Sequence, residues 1–192
     1  IPSSLVGSEM CIRDSLYTVP LFHCNGWGHA WTMTALAGKI VCCRQVSAMA
    51  IYDAINTQKV THLGGAPIIL GMIINAESSD RKEFSHTVEI MTAGAPPPAA
   101  ILEGIEKLGF NVTHVYGLTE TYGHAVMCFW QDQWDDTDFT QRAIIKARQG
   151  VAMTATESTR VVDLNTREDV PKDGKTIGEI VLQGNTIMKG YL

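Results

Sequence analysis

Between Leu16 and Gly117 one pattern repeats: a short apolar run, a turn, then a longer stretch with helical spacing. "LYTVPLF" ends at His23, and "GWGHAWTMTALAG" follows as a helix expected to be buried on most sides and closed by Gly38. "KIVCC" reads as a strand. "SAMAIYDAINTQK" opens on Ser47, a good N-cap, and sets Ile51 and Ile55 one helical turn apart. "VTHL" is a further strand, and "APIILGMIINA" carries Pro67 where a first helical turn tolerates it. After the polar hinge "ESSDRKEFSH" come the strand "TVEIMTAG", the helix "PPPAAILEGIEKLG" stopped by Gly109, and the strand "FNVTHVYG". Short strands alternating with helices of about ten residues specify βα units on a largely parallel sheet, an α/β fold. Right-handed crossovers then place the helices on the sheet faces.

The pattern breaks after about Gln131. "QDQWDDTDF" is an acidic loop; its Asp135, Asp136 and Asp138 lack the glycine and closing glutamate of a calcium loop, so a solvated loop is expected. "TRVVDLNTREDVPKDGKTIGEIVLQG" reads as an antiparallel hairpin with a long turn, the start of an antiparallel β subdomain. The opening "IPSSLVGSEMCIRDS" has neither helical nor alternating periodicity and resembles translated sequencing-library adapter. The expected organisation is a non-native segment over residues 1–15 and a partial domain over 16–192. Within that domain, 16–130 is the βα sheet region and 131–192 a linker and β-rich region.

Composition removes several classes of function. The 192 residues carry a net charge of -5, with no basic run longer than Arg81-Lys82, which argues against nucleic acid as a partner. Lys39, Arg44 and similar residues interrupt every apolar stretch before it could span a bilayer. None of the five cysteines forms a Cys-x-x-Cys pair, and neighbouring Cys42 and Cys43 read as small buried hydrophobes in a reducing compartment. His29, His62, His86, His114 and His124 show no metal-ligand spacing; His114 is expected to point into packing. A G-x-S-x-G elbow, an H-E-x-x-H motif and a Walker loop are absent from the sequence. The glycosylation-like Asn111-Val-Thr113 falls inside an expected core strand.

In open parallel sheets, ligands bind outside the carboxyl ends of the strands. The unusual residues fall there. His23 follows the first apolar run, Gly94, Ala95 and Pro96 follow "TVEIMTA", and Tyr116, Gly117, Thr119 and Glu120 follow "NVTHV". A small-residue loop lets backbone lie against a planar ring. A tyrosine offers a face for a base, a threonine hydroxyl can meet a phosphate, and one carboxylate can help hold magnesium beside phosphates and waters. Taken singly each is ordinary: a structural histidine, a packed aromatic, a loop entering a helix, a Thr-Glu cap. Their shared location is the stronger signal.

The ordered blocks "VPLFHCNGW", "TAGAPPP", "VYGLTET" and "GEIVLQGNTIMKGYL" resemble the adenylate-forming, or AMP-binding, superfamily. The C-terminal block is most similar to short- or medium-chain acyl-CoA synthetases, and the likeness covers Leu16 to Leu192 as a fragment of the large N-terminal domain. The resemblance implies a ligase that uses ATP with Mg2+, makes an acyl-adenylate from a carboxylic acid, releases pyrophosphate, and transfers the acyl group to coenzyme A. It further implies that Gly94, Ala95 and Pro96 line the adenine and acyl pocket, Tyr116 packs on adenine, Thr119 meets the α-phosphate and Glu120 contributes to magnesium. Gly117 would leave room for the acyl group, while His23 and Trp27 would border the acyl pocket, His23 orienting the carboxylate.

The family's phosphate loop, ribose-binding aspartate and catalytic lysine do not match any segment here, so the fragment alone is expected to be inactive. The alternatives are an amino-acid-activating adenylation domain or a non-catalytic, truncated nucleotide-binding chain. The former would carry a carboxylate in the acyl pocket. Cytosol is the default compartment.

Overall fold

The computed structural model describes residues 14–192. Of the fifteen opening residues set aside above, the first thirteen thus lie outside the described residues. Asp14 and Ser15 instead begin the first strand, Ser15 standing opposite both Ile40 and His62.

Each of the five apolar runs forms a strand: β1 (Asp14–Tyr17), β2 (Lys39–Cys42), β3 (His62–Gly65), β4 (Val88–Thr92) and β5 (Phe110–Leu118). Between them lie α1 (Cys24–Ala35), α2 (Ala48–Gln58), α3 (Pro67–Ile74) and α4 (Ala99–Glu106). The local signals act as expected. The Ser47 side chain accepts the Ala50 N–H at 3.2 Å, Pro67 occupies the first turn of α3, and Gly109 turns the chain at φ +90°. These strands are mutually parallel, and β6 (Gly123–Met127) and β7 (Val151–Ala152) extend the sheet antiparallel beyond β5. The resulting order is β2-β1-β3-β4-β5-β6-β7.

That order decides where the helices go. The step from β1 to β2 runs one way across the sheet; the steps to β3, β4 and β5 run the other. With right-handed crossovers, α1 must lie on one face and α2, α3 and α4 on the opposite one. The core follows. Ile51, Ile55, Leu70, Ile73, Leu102 and Ile105 from the three helices pack on Leu63, Val88, Ile90, Phe110 and Val112 of the sheet. Each is at most 3% exposed, so each such aliphatic contributes about 1.5–3 kcal/mol of burial. Alternate strand residues such as Met91 and Thr113 turn to the other face, under α1.

Alone on its face, α1 is not buried on most sides: among its residues with described burial only Gly26 and Met33 are buried, and Trp31 is 71% exposed. Its expected burial was a misreading of apolar composition as packing. The cysteines differ too. Cys42 is exposed because β2 is an edge strand, Cys43 is half-buried, and Cys128 alone among the described cysteines is buried.

The acidic loop contains more structure than expected. Asp138 is an N-cap, its carboxylate accepting the Gln141 N–H at 2.8 Å, and it opens α5 (Phe139–Lys146). Lys146 is buried, pairs with Glu106 of α4, and donates to Asn111 of β5 at 2.5 Å. The tail forms the expected antiparallel hairpin, β8 (Ser158–Val162) with β9 (Glu179–Gln183). Among the described residues no helix is long and apolar enough to cross a membrane.

Candidate functional site

All five parallel strands end on one edge of the sheet, and the expected site residues lie along it. His23 is the exposed N-cap of α1, its ring 4.5 Å from that of Phe22. Gly94, Ala95 and Pro96 form the exposed loop between β4 and α4. Gly94 has φ +89° and open space where a Cβ would stand, so backbone conformation rather than crowding calls for glycine there. Thr119 and Glu120 begin a single 3-10 turn, Thr119–Thr121, directly after β5.

Tyr116 and Gly117 lie at the end of β5, within the strand expected over "FNVTHVYG", and β6 folds back and extends the pairing through Leu118. A bulge falls between them. A Cβ on Gly117 would stand 1.8 Å from the Gly123 carbonyl oxygen, so β6 fills the clearance that this glycine leaves.

Two neighbours were not singled out from the sequence. The Thr121 hydroxyl accepts the Leu118 N–H at 2.9 Å and lies 2.7 Å from the Gly123 carbonyl, closing the turn. Tyr122 follows at φ +56°, a left-handed conformation unusual for a bulky residue, and its ring lies 4.9 Å from that of Trp27. This contact ties α1 to the β5–β6 hairpin. The Tyr-Gly pair at 122–123 is the turn signal that could have revealed it.

Beneath α1 lies a cavity of about 670 Å³, lined by His29, Met33, Leu63, Met91, Thr113 and Met127 among others. His29 faces His124 across α1 and β6 at 6.1 Å. Burial pushes both imidazoles below their ordinary range, and a neighbouring imidazole lowers each further: His62 acts on His29, and His29 on His124. Both carboxylates in the lining are engaged, Asp14 with Lys39 at 2.8 Å and Glu89 with the Asn111 amide at 2.7 Å. Burial raises the Glu89 carboxyl above its usual range, partly offset by that amide. Neither this cavity nor a second cleft, about 730 Å³ between Tyr52, Phe84 and Lys107, is lined by any of the candidate residues.

Glu120 is reached from far along the chain. Its carbonyl accepts the Met188 N–H at 2.8 Å, and its carboxylate accepts the Tyr191 hydroxyl. The latter bond lowers the carboxyl below its ordinary value and raises the phenol. Among the described residues no group of three or more His, Cys, Asp or Glu side chains could hold a metal. A lone rim carboxylate suits an ion that keeps waters and takes phosphate oxygens, as magnesium does.

A doubly wound sheet of this order carries its special loops on the carboxyl edge, the place where open α/β sheets bind ligands. The chain belongs to the AMP-binding enzyme family, whose model matches residues 7–192. It is 47% identical over 178 residues to the peroxisomal acetate/butyrate–CoA ligase of Arabidopsis thaliana, covering 92% of this chain and 31% of that one. It is 48% identical over 177 residues to 2-methylpropanoate–CoA ligase of Humulus lupulus, covering 92% and 32%. The chain therefore spans about a third of the length of these curated relatives. Its fold matches o-succinylbenzoate CoA synthetase from Bacillus subtilis, solved with an acyl-adenylate intermediate, at a TM-score of 0.72 and 20% identity, covering 98% of this chain and 36% of that one. The luciferase-like enzyme of the mealworm Zophobas morio matches at 0.76 and 19% identity, covering 93% and 40%.

Proposed function

We propose that this chain is part of an ATP-dependent ligase that activates a short-chain carboxylic acid and transfers it to coenzyme A. The supporting observation is the single rim that gathers His23, the Gly94–Pro96 loop, Thr119 and Glu120. The relatives add the substrate class, since their names specify acetate, butyrate and 2-methylpropanoate. An acid carboxylate oxygen attacks the α-phosphorus of ATP, and the bond to pyrophosphate breaks. The coenzyme A thiol then attacks the acyl carbon, loses its proton, and AMP departs.

In this reading Thr119 donates to an α-phosphate oxygen as charge develops there. Glu120 would help hold a magnesium ion, which would neutralise phosphate charge. The Gly94–Ala95–Pro96 backbone and the Tyr116 ring flank the adenine. His23 orients the acid carboxylate, Trp27 borders the acyl chain, and Gly117 keeps the strand end slim. The relatives named for acetate, butyrate and 2-methylpropanoate favour this reading over the amino-acid-activating alternative.

Acid-dependent ATP–pyrophosphate exchange by a full-length protein carrying this segment, assayed across straight and branched short acids, tests the proposal. Exchange with acetate, butyrate or 2-methylpropanoate supports it, with Thr119→Val reducing the rate by about 10²-fold or more. Exchange driven only by amino acids, or none, overturns it. The 192-residue chain alone is proposed to be inactive, because it spans only a third of the relatives' length. The sequence suggests the cytosol, while several relatives are peroxisomal by name; this chemistry suits either compartment.

A further inference from the structure

We propose that Tyr191 is a positioning residue for Glu120, holding its carboxylate in one orientation toward the magnesium–nucleotide complex. The proposal rests on the reading of Glu120 given above. Glu120 sits on a short turn at an open rim, and a glutamate there is otherwise free to sample several rotamers. After β9 the chain comes back to that turn. The Ile187 N–H bonds the Gly184 carbonyl at 3.1 Å, bending the segment, and the Met188 N–H bonds the Glu120 carbonyl at 2.8 Å. Three residues further on, the Tyr191 hydroxyl donates to Oε1 of the same glutamate. One residue is thereby anchored twice, by backbone and by side chain, the side-chain bond spanning 71 positions of sequence.

The chemistry of the donor fits the task. A lysine or arginine would orient a carboxylate but cancel its charge. A phenol orients it and leaves the charge for a cation. The bond uses Oε1, and among the described residues no other side chain donates to this carboxylate, which leaves Oε2 for a metal. Holding the acid in place before the metal arrives removes an ordering cost at binding.

The test uses a full-length protein carrying this segment, with Mn2+ as the probe and α,β-methylene-ATP as a non-reacting nucleotide. Free Mn2+ is read by electron paramagnetic resonance, a readout independent of turnover. Tyr191→Phe keeps the ring and removes the donor, and since Tyr191 is 82% exposed the fold is not at stake. The expected result is Mn2+ binding weakened roughly two- to tenfold, the cost of immobilising one long side chain, with metal-free nucleotide binding unchanged. Glu120→Gln supplies the reference. If Glu120→Gln abolishes Mn2+ binding and Tyr191→Phe leaves it unchanged or tightens it, positioning is refuted while Glu120 keeps its role. If Glu120→Gln has no effect, the metal reading of Glu120 falls, and the positioning proposal falls with it.

Discussion

Replacing Lys146 by methionine tests how the far edge of the sheet is held. The Lys146 side chain is 4% exposed and pairs with Glu106, also 4% exposed; it donates to Asn111 at 2.5 Å and stands 5.1 Å over the Trp130 ring. Methionine matches its length but removes the charge, leaving Glu106 buried with only Arg142 at 3.4 Å. Breaking a buried pair costs about 3–5 kcal/mol; partial rescue by Arg142 puts Lys146→Met near the lower end, about 3 kcal/mol. For a chain of this size that is about 6–12 °C in Tm. Removing both charges, as in Lys146→Met with Glu106→Leu, leaves no stranded carboxylate and should return most of the loss. Urea denaturation followed by far-UV circular dichroism measures both variants, with an unchanged slope as the check on two-state behaviour. A single-variant loss below about 1 kcal/mol, or a double variant no better than the single, would refute this account of the pair.

Three further outcomes are expected. Burial lowers four imidazoles, those of His29, His62, His114 and His124, below the ordinary 6.5. The unfolded chain then binds protons that the folded one declines, so stability should fall as pH drops below about 6.5 and level off above it. His29→Gln and His124→Gln should each flatten that fall in urea midpoints; equal slopes in all three proteins would count against it. Gly117→Ala drives a methyl toward the Gly123 carbonyl and should cost about 1–3 kcal/mol, with faster amide exchange confined to β5 and β6. Asp138→Ala removes the cap of α5 and should cost about 1 kcal/mol, whereas Asp138→Asn should hold.

Period and punctuation made the βα core legible. Ser47, Pro67 and Gly109 mark boundaries through local chemistry that needs no tertiary partner. The strand-end rule likewise placed His23, Gly94 and Thr119 at the carboxyl edge of the sheet, where they lie in the fold. What the sequence hid depends on partners distant along the chain. β6 takes its identity from pairing with β5, a partnership that its own five residues do not announce. α5 hides behind an acidic loop because Asp138 resembles its solvated neighbours until the chain places a free N–H above it. The exposure of α1 follows from strand order, which periodicity does not encode, and Tyr191 reaches Glu120 across a separation that no local pattern spans.

The sheet is loaded unevenly, and this divides the labour of change. The continuous core draws on α2, α3, α4 and α5 but on none of the described residues of α1. Substitutions along α1 therefore spend little of the stability that holds the strand ends in register. The cavity beneath that helix can thus be reshaped while the strand ends, and the loops they carry, stay where the opposite face keeps them.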